Sequence, residues 1–237
     1  MKRTILLTAI LSLVLMGVAT ARPALTKASE VDLALAVIGS GSAAEMSSRI
    51  FTTPVTVLGA EHRTRAAAAL PEQIRTNRVT EGSLLLRVEA ITRSILQLHN
   101  RGQDIELFLY RGGVPRGMLV NGCLLVLSDS LVRPLHDMEL AGIIAHEMGH
   151  RYFMDEMRAA LEADDERVIK AIELQCDAVA ILTLKLIGYD PAIHISGLRK
   201  VETAIKAQGY LILLHGRSHP TTAERAQFAD RLVKLLV

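Results

Sequence analysis

The sequence predicts an α+β domain that is mainly helical and carries a small antiparallel sheet. From about Thr80 onward, apolar residues recur over most of the chain at the three- and four-residue spacing of amphipathic helices. Two short apolar segments, residues 105–110 and 119–128, instead have the length and composition of strands. Aromatic residues make up only 3% of the 237 residues and Trp is absent, so the core must depend on aliphatic residues that suit packed helices.

The first residues have the pattern of an export signal, which we predict to span residues 1–21. Lys2 and Arg3 form a basic start, a short apolar stretch follows, and Ala-Thr-Ala at residues 19–21 has the form of a cleavage site. The apolar stretch is shorter than the roughly 20 residues that a transmembrane helix needs. A periplasmic or secreted protein is therefore predicted, and an uncleaved segment that anchors the protein to a membrane is the alternative.

The rest of the chain divides into an N-terminal arm, residues 22–79, and a domain, residues 80–237. The arm is predicted to be partly helical, because a helical pattern over residues 29–38 is followed by Gly and Pro breaks. The domain begins with a helix over residues 81–99 and continues with the two strands, the second of which carries an Asn-Gly kink at residues 121–122. Further helices are predicted over residues 136–152, 163–187, 191–207 and 221–236.

The charge balance and the cysteine spacing argue against two functions, nucleic-acid binding and a cysteine-based zinc site. Lys2 and Arg3 account for the net charge of +2, because the chain without them has 25 basic and 25 acidic residues. This balance gives no reason to expect nucleic acid as a partner. Cys123 and Cys176 have a spacing that fits no cysteine-based zinc site. Two buried thiols are the preferred interpretation, and a disulfide formed after export is the alternative.

The strongest functional pattern is His146-Glu147-Met148-Gly149-His150, which follows an apolar helical run. The two histidines lie one turn apart on a helix, so both imidazoles can point at one metal ion. Zinc binds neutral imidazole nitrogens readily, and the glutamate beside it can take a proton from a zinc-bound water. A chance occurrence of this short pattern in a helical domain is the alternative, and it predicts that the purified protein holds no zinc.

A catalytic zinc needs a third protein ligand and an open position for water. Glu173 is the best candidate, because it lies on the next long helix, far enough from His150 for that helix to return antiparallel. Asp177 follows one turn later on the same face, where it can accept a hydrogen bond from a ligand histidine. The apolar neighbours of both acids favour this interpretation over two solvated surface acids.

Four segments, in this order, resemble the gluzincin metallopeptidase family that includes HtpX, BepA, LoiP and the CAAX prenyl endopeptidases. The segments are residues 139–150, Glu-Leu-Gln-Cys-Asp-Ala at 173–178, Gly-Tyr-Asp-Pro at 188–191, and Ser-His-Pro-Thr-Thr-Ala-Glu-Arg at 218–225. The resemblance covers about residues 80–237. It implies a zincin-like fold with one zinc ion per chain.

For the His-Glu-x-x-His motif, Glu173 and Asp177, the resemblance implies the same roles as the spacing does. It adds His219, which resembles a residue near the metal that either stabilises the oxyanion or occupies the open coordination position. It also adds Arg225, which would pair with the site or orient its loop. In this family a strand such as 119–128 lines the cleft and pairs with an extended substrate.

The predicted function is hydrolysis of peptide bonds by a zinc metalloendopeptidase, and the resemblance implies misfolded or unfolded cell-envelope proteins as substrates. A chaperone-like or scaffold protein of the envelope, with the zinc fold retained and the open position blocked by His219, is the alternative. A membrane or envelope protein partner is left open, as is the oligomeric state. The remaining histidines fall in no ligand spacing and are interpreted as surface or locally bonded: His62, His99, His136, His194 and His215.

Overall fold

The computed structural model of the protein describes residues 28–102, 104–209 and 219–236. Over these residues the chain is mainly helical with a three-stranded sheet, which confirms the predicted α+β class. The predicted export signal at residues 1–21 lies outside the described residues. Among the helices that are described, none has the length and apolar character that crossing a bilayer requires.

From residue 28 onward, where the structure describes it, the arm forms four helices, α1 (Glu30–Ile38), α2 (Ala43–Phe51), α3 (Ala60–Ala68) and α4 (Glu72–Thr76). Ser29 and Ser42 begin the first two helices as capping boxes, in which the serine hydroxyl accepts a backbone N–H and an acid three residues later accepts the serine N–H. The first two helices bury their apolar faces in one core with the long helix α9 (Glu166–Leu186). The arm thereby contributes to the packing around a helix of the candidate site.

Helix α5 (Ser83–Leu98) leads into the sheet. Its strands are β1 (Glu106–Tyr110), β2 (Gly117–Val120) and β3 (Leu124–Ser128), and they lie in the order β1-β3-β2. The central strand β3 pairs in parallel with β1 and antiparallel with β2. The sheet is therefore mixed, and the prediction of a purely antiparallel sheet was wrong in this detail.

The predicted strand over residues 119–128 is two strands joined by a tight turn. Asn121 and Gly122 have φ angles of 49° and 66°, and the N–H of Cys123 donates to the carbonyl of Val120 at 3.1 Å. Positive φ at both central residues is the geometry of a type I′ turn, for which Asn-Gly is the preferred pair, and Val120 pairs with Leu124 across the loop. The pair was interpreted as a kink, and the structure corrects this: the chain reverses there, so that β2 lies at the sheet edge.

In the described part of the chain, six helices follow the sheet: α6 (Asp129–Val132), α7 (Asp137–Tyr152), α8 (Met154–Glu162), α9 (Glu166–Leu186), α10 (Ala192–Ala207) and α11 (Thr222–Leu235). Four of them match the predicted long helices to within a few residues. Helix α8 was not predicted, because its short amphipathic pattern follows α7 without a Gly or Pro to separate them.

Close packing of α7 against α9 positions the site. A Cβ at Gly149 would lie 2.6 Å from the Cα of Cys176, nearer than such atoms ever approach, so the glycine lets the two backbones meet. The start of α7 is held by Glu139, whose carboxylate accepts the N–H of His136 at 2.9 Å. The same carboxylate accepts bonds from Ser196 and Lys200 at 2.8 and 2.7 Å, which fixes α10 against α7.

Candidate metal centre

Atoms of the three predicted ligands converge between α7 and α9. Nε2 of His146 lies 3.4 Å from Oε2 of Glu173, and Nε2 of His150 lies 3.6 Å from Oε1 of the same carboxylate. The ligand atoms of the three residues all lie within 4.8 Å of one another. Donors bound about 2.1 Å from a tetrahedral zinc are about 3.4 Å apart, so these separations suit one ion.

Asp177 fixes the orientation of the His146 ring. Nδ1 of His146 donates to Oδ1 of Asp177 at 2.8 Å, and the Asp177 side chain is fully buried. A ring that carries its proton on Nδ1 keeps the lone pair of Nε2 for a metal. Asp177 thus lies where the sequence predicted an acid behind a ligand histidine.

Arg225 of α11 compensates the charge of the two buried acids. Its Nη1 donates to Oδ1 of Asp177 at 2.6 Å, and its Nη2 donates to Oε2 of Glu173 at 3.0 Å. Burial opposes ionisation of both acids, but the contacts with Arg225 and His146 outweigh it and hold the pKa of each carboxyl well below its usual range. Both carboxylates are therefore ionised at neutral pH.

His146 behaves unlike an ordinary buried histidine. Burial alone would lower its pKa, yet the hydrogen bonds and charges of Asp177 and Glu173 raise the pKa of His146 to about 10. Without a metal, the ring is therefore protonated at neutral pH. A zinc ion bound at Nε2 would take the place of that proton.

His194 belongs to the site, although sequence analysis gave it no role there. It lies fully buried on α10, and its Nε2 donates to Oδ1 of Asp177 at 2.9 Å. That oxygen accepts three hydrogen bonds, from His146, His194 and Arg225, whereas Oδ2 of Asp177 and Nδ1 of His194 have no hydrogen-bond partner among the described residues. No spacing pattern could have found this contact, because it joins two helices across the break between α9 and α10.

His146, Asp177 and His194 form a second group whose ligand atoms lie within 4.8 Å of one another. These atoms already bond to one another through Oδ1 of Asp177, and the Arg225 guanidinium contacts the same oxygen. A cation there would be repelled by Arg225 and would have to break these bonds. The group of His146, His150 and Glu173 is therefore the better candidate for a metal site.

His150 faces the outside of the cluster, with 23% of its side chain exposed. Its Nδ1 lies 3.5 Å from the sulfur of Cys176. Burial raises the pKa of the Cys176 thiol well above its usual value, so the sulfur stays protonated. Cys176 and Cys123 are both buried and free, which confirms the preferred interpretation of the two cysteines.

His219 reaches the open side of the cluster. Its Nε2 lies 3.7 Å from Oε1 of Glu173, and 57% of its side chain is exposed. This position is close enough to contact either a metal-bound group or the metal's remaining coordination position. The structure therefore brings together all seven residues that were predicted for the site: His146, Glu147, His150, Glu173, Asp177, His219 and Arg225.

The cluster opens into a cleft of about 1260 Å³. Edge strand β2 lines the cleft through Gly117, Met118 and Leu119, whereas β3 is central and buried. The prediction that residues 119–128 as a whole line the cleft was therefore wrong for β3. Four arm residues also line it, a contribution that sequence analysis missed: Pro54, Val55, Thr56 and Leu58. Glu147 lies in the cleft, and its Oε1 is 3.4 Å from the position of a Cβ on Gly117, so glycine leaves room beside the carboxylate.

Residues 115–169 match the model of peptidase family M48. The matched segment contains His146, Glu147 and His150 and ends before Glu173. A comparison with curated proteins found no match. M48 metallopeptidases depend on zinc, and two imidazoles with a carboxylate around an open position are the donor set of a catalytic zinc. The match over the motif and the convergence of these donors together support a metallopeptidase of the M48 type.

Proposed function

We propose that this protein is a zinc metalloendopeptidase that hydrolyses peptide bonds in misfolded or unfolded proteins of the cell envelope. The observation that carries the proposal is the convergence of His146, His150 and Glu173 beside Glu147 in an open cleft. One zinc ion held by these three residues would activate a water molecule and polarise the substrate carbonyl.

The other site residues supply positioning and proton transfer. The Glu147 carboxylate is not one of the converging donors, so it is available to accept a proton from the attacking water and to deliver it to the leaving amine. Asp177 holds the His146 ring with Nε2 toward the metal. His219, at the exposed side of Glu173, can donate to the carbonyl oxygen as negative charge develops there.

An unfolded polypeptide suits the shape of this cleft. Edge strand β2 lies along it, and an extended peptide can add to such an edge through main-chain hydrogen bonds that demand little of its side chains. Nucleic acid is not proposed as a partner, because the chain is not basic enough to attract it. A membrane or envelope protein partner remains part of the proposal, since the predicted export signal would deliver the protein to that compartment.

The proposal is tested by metal analysis and a chelator-sensitive protease assay with casein. We expect about one zinc per chain and cleavage that stops when zinc is removed. Glu147→Gln should keep the zinc but lower kcat by at least about a hundredfold, because it removes the general base without removing a ligand. The exposed Glu162→Gln on α8 is the matched control and should cleave like wild type. Wild-type cleavage by Glu147→Gln would remove Glu147 from the mechanism.

His219→Ala separates the peptidase from the scaffold alternative. If His219 stabilises the oxyanion, the variant should bind zinc normally and cleave casein about ten to a hundred times more slowly than wild type. If His219 blocks the open position, the variant should cleave faster than wild type. Absence of cleavage by both proteins, with zinc bound, would favour a chaperone-like or scaffold role in the envelope.

Export is tested by the mass of the protein recovered from cells that express the full chain. Cleavage after Ala21 would give a protein that begins at Arg22, found in the periplasm or the medium. A protein that keeps Met1 and sediments with membranes would instead support the anchored alternative.

A further inference from the structure

Arg151 is a buried cation in the wall of the cleft. It follows His150 on α7 and lies four residues after Glu147, so the two side chains share one face of the helix, about 6 Å apart along its axis. Only 2% of Arg151 is exposed, and the residue is among those that line the cleft. Neither the motif nor the proposed mechanism gives it a function.

The guanidinium of Arg151 is only partly satisfied. Its Nη2 donates to the carbonyl oxygen of Thr56 in the arm, while Nε and Nη1 have no acceptor in the part of the chain that the structure describes. The hairpin turn closes over it, since a Cβ at Gly122 would lie 2.9 Å from Nη1. Burial lowers the pKa of Arg151, which reflects how costly its charge is in this place. A buried cation whose N–H groups lack acceptors is strongly disfavoured unless an anion binds it.

No carboxylate among the described residues forms a salt bridge with Arg151. Asp104 is nearby and buried, but it is paired with Arg101 at 3.6 Å. Asp155 is largely exposed and is paired with Arg158 at 3.3 Å. Two arginines therefore share one buried aspartate, and the group keeps an excess positive charge beside the cleft.

We propose that Arg151 binds a carboxylate of the peptide substrate, from an acidic side chain or from a C-terminus, and that the Thr56 carbonyl occupies this position until the substrate displaces it. This inference rests on the proposed peptidase function. The carbonyl contacts Nη2, the nitrogen common to both forked faces of a guanidinium. Its release leaves Nε and Nη2, the face turned away from the hairpin, to form two parallel hydrogen bonds with one carboxylate. Because a peptide extends about 3.3 Å per residue, the carboxylate lies within about three residues of the bond that is cut.

The inference is tested by peptide binding to zinc-loaded Glu147→Gln protein, which binds without turnover. Three labelled peptides of one sequence are compared by fluorescence anisotropy: one with an internal Glu and an amidated C-terminus, one with Gln in its place, and one with Gln and a free C-terminus. We expect at least one carboxylate peptide to bind about 10 to 100 times more tightly than the neutral one, as charge-assisted hydrogen bonds allow. Which carboxylate peptide gains shows whether the side chain or the C-terminus is recognised.

Arg151→Gln should abolish that preference, so that the carboxylate peptide binds no more tightly than the neutral one. Arg158→Gln, an exposed arginine in the same cleft, is the matched control and should keep the preference. Equal affinity for all three peptides, or a preference that survives in Arg151→Gln, overturns the inference. If Arg151→Gln does not fold, Arg151→Lys keeps the charge without the fork and should retain only part of the preference.

Failure of this inference is distinguishable from failure of the proposed function. Wild-type protein that cleaves acidic and neutral peptides equally well is a peptidase without the Arg151 subsite. Protein that shows the Arg151-dependent preference but cleaves none of the peptides has the subsite without the peptidase activity.

Discussion

Two buried histidine clusters bridge the same pair of helices, α7 and α9, and they differ in charge. In the metal cluster, His146 contacts Glu173 and Asp177. In the neutral cluster, His99 is bonded through Nδ1 to the hydroxyl of Tyr152 at 2.8 Å and through Nε2 to Oγ1 of Thr183 at 2.9 Å. Both histidines are buried, so burial alone does not separate a ligand from a structural residue.

The hydrogen bonds of the neutral cluster satisfy its histidine completely. Thr183 donates its hydroxyl proton to the carbonyl of Val179 at 2.7 Å, so it accepts from Nε2–H of His99, and Tyr152 donates to Nδ1. Burial, and secondarily Arg101, lowers the pKa of His99 to about 3, so the ring is neutral. Phe51 stacks on it at 3.9 Å between ring centres and covers it.

In the metal cluster, unlike the neutral cluster, one nitrogen of the buried histidine has no good hydrogen bond. Nε2 of His146 faces a carboxylate oxygen at 3.4 Å, which is long for a hydrogen bond but suitable for two ligands of one metal. Its residues carry charges, and it opens into the cleft. A buried histidine therefore indicates a metal site when its second nitrogen converges with other donors, and indicates a structural role when both nitrogens have partners.

The largest expected effect is a difference in zinc affinity between two variants, His146→Ala and His99→Ala. His146→Ala removes one of three ligands and should weaken zinc binding by roughly a thousandfold or more. His99→Ala should leave zinc affinity within about threefold of wild type, since it lies outside the donor set. It should instead lower the free energy of unfolding by about 2–4 kcal/mol, through a cavity and two unpaired hydroxyl groups. Competition with a chromogenic chelator and urea unfolding measure the two quantities.

Loss of zinc affinity in both variants, at equal stability, would break the distinction between the clusters. It would mean that His99 contributes to the metal site through the helices it joins. Retention of full affinity in His146→Ala would remove His146 from the ligand set.

The next largest effect is the loss of stability when Arg225 is replaced. Arg225 compensates the negative charge of the metal cluster, whereas the neutral cluster needs no such cation. In the metal-free protein, Arg225→Met leaves the buried carboxylates of Glu173 and Asp177 with one fewer counter-charge and should cost about 3–5 kcal/mol of stability. Saturating zinc should restore part of this loss. Arg231→Met on the same helix removes an exposed bond to Asp32 and should cost less than about 1 kcal/mol. Urea unfolding with and without zinc provides the measurement, and equal costs for both variants would contradict the charge argument.

The sequence could predict the metal cluster but not the neutral one, for physical reasons. His146 and His150 lie one turn apart on one helix, and a strong apolar pattern fixed that helix, so their convergence follows from local geometry. Glu173 could be predicted because the next helix had to return. His194 and His99 acquire their partners only from tertiary packing, across distances in the chain that no periodicity encodes.

The sheet also contains a feature that could not be predicted because it depends on a contact with a distant part of the chain. The Asn-Gly pair at residues 121–122 was recognised, but one continuous apolar pattern on both sides favoured a kinked strand over a hairpin. Whether the chain bends or reverses at this pair depends on β1, because β1 pairs with β3 in parallel. The end of β1 lies 14 residues before the start of β3. The cleft wall at residues 54–58 was missed because its position also depends on contacts far along the chain, such as the bond from Arg151 to Thr56.

A smaller effect is the pH dependence of stability in the metal-free protein, where His99 and His146 act in opposite directions. The pKa of His99 falls from 6.5 in the unfolded chain to about 3, so the unfolded state binds more protons below pH 6.5 and stability decreases as pH falls. The pKa of His146 rises from 6.5 to about 10, so the folded state binds more protons above pH 6.5 and stability decreases as pH rises. Each group contributes at most about 1.4 kcal/mol per pH unit.

Urea unfolding between pH 4.5 and 9 should therefore show a stability maximum near pH 6.5. The folded state keeps Glu173 and Asp177 ionised over this range, and proton uptake by these acids in the unfolded chain adds to the acidic slope only near its lower end. His99→Gln should flatten the acidic side of the profile and His146→Gln the alkaline side. Zinc should abolish the alkaline slope in wild type, because the metal replaces the proton. A profile with the same two slopes in both variants would assign them to other groups.

The smallest effect is a change in zinc affinity when His194 is replaced. It distinguishes His194 from the histidine of the neutral cluster, which is buried to a similar extent. His194→Leu removes one of the three donors to Oδ1 of Asp177, so the carboxylate holds the His146 ring less firmly. We expect zinc affinity to fall by about tenfold. This is the lower end of the loss that follows when a residue that orients a metal ligand is replaced. The absorption spectrum of the cobalt-substituted protein should also shift, since the geometry at the metal changes. His194→Gln can restore a donor to Asp177 and should recover part of the affinity. A loss of stability in His194→Leu without any change in affinity or cobalt spectrum would place His194 with His99, as a residue that supports packing alone.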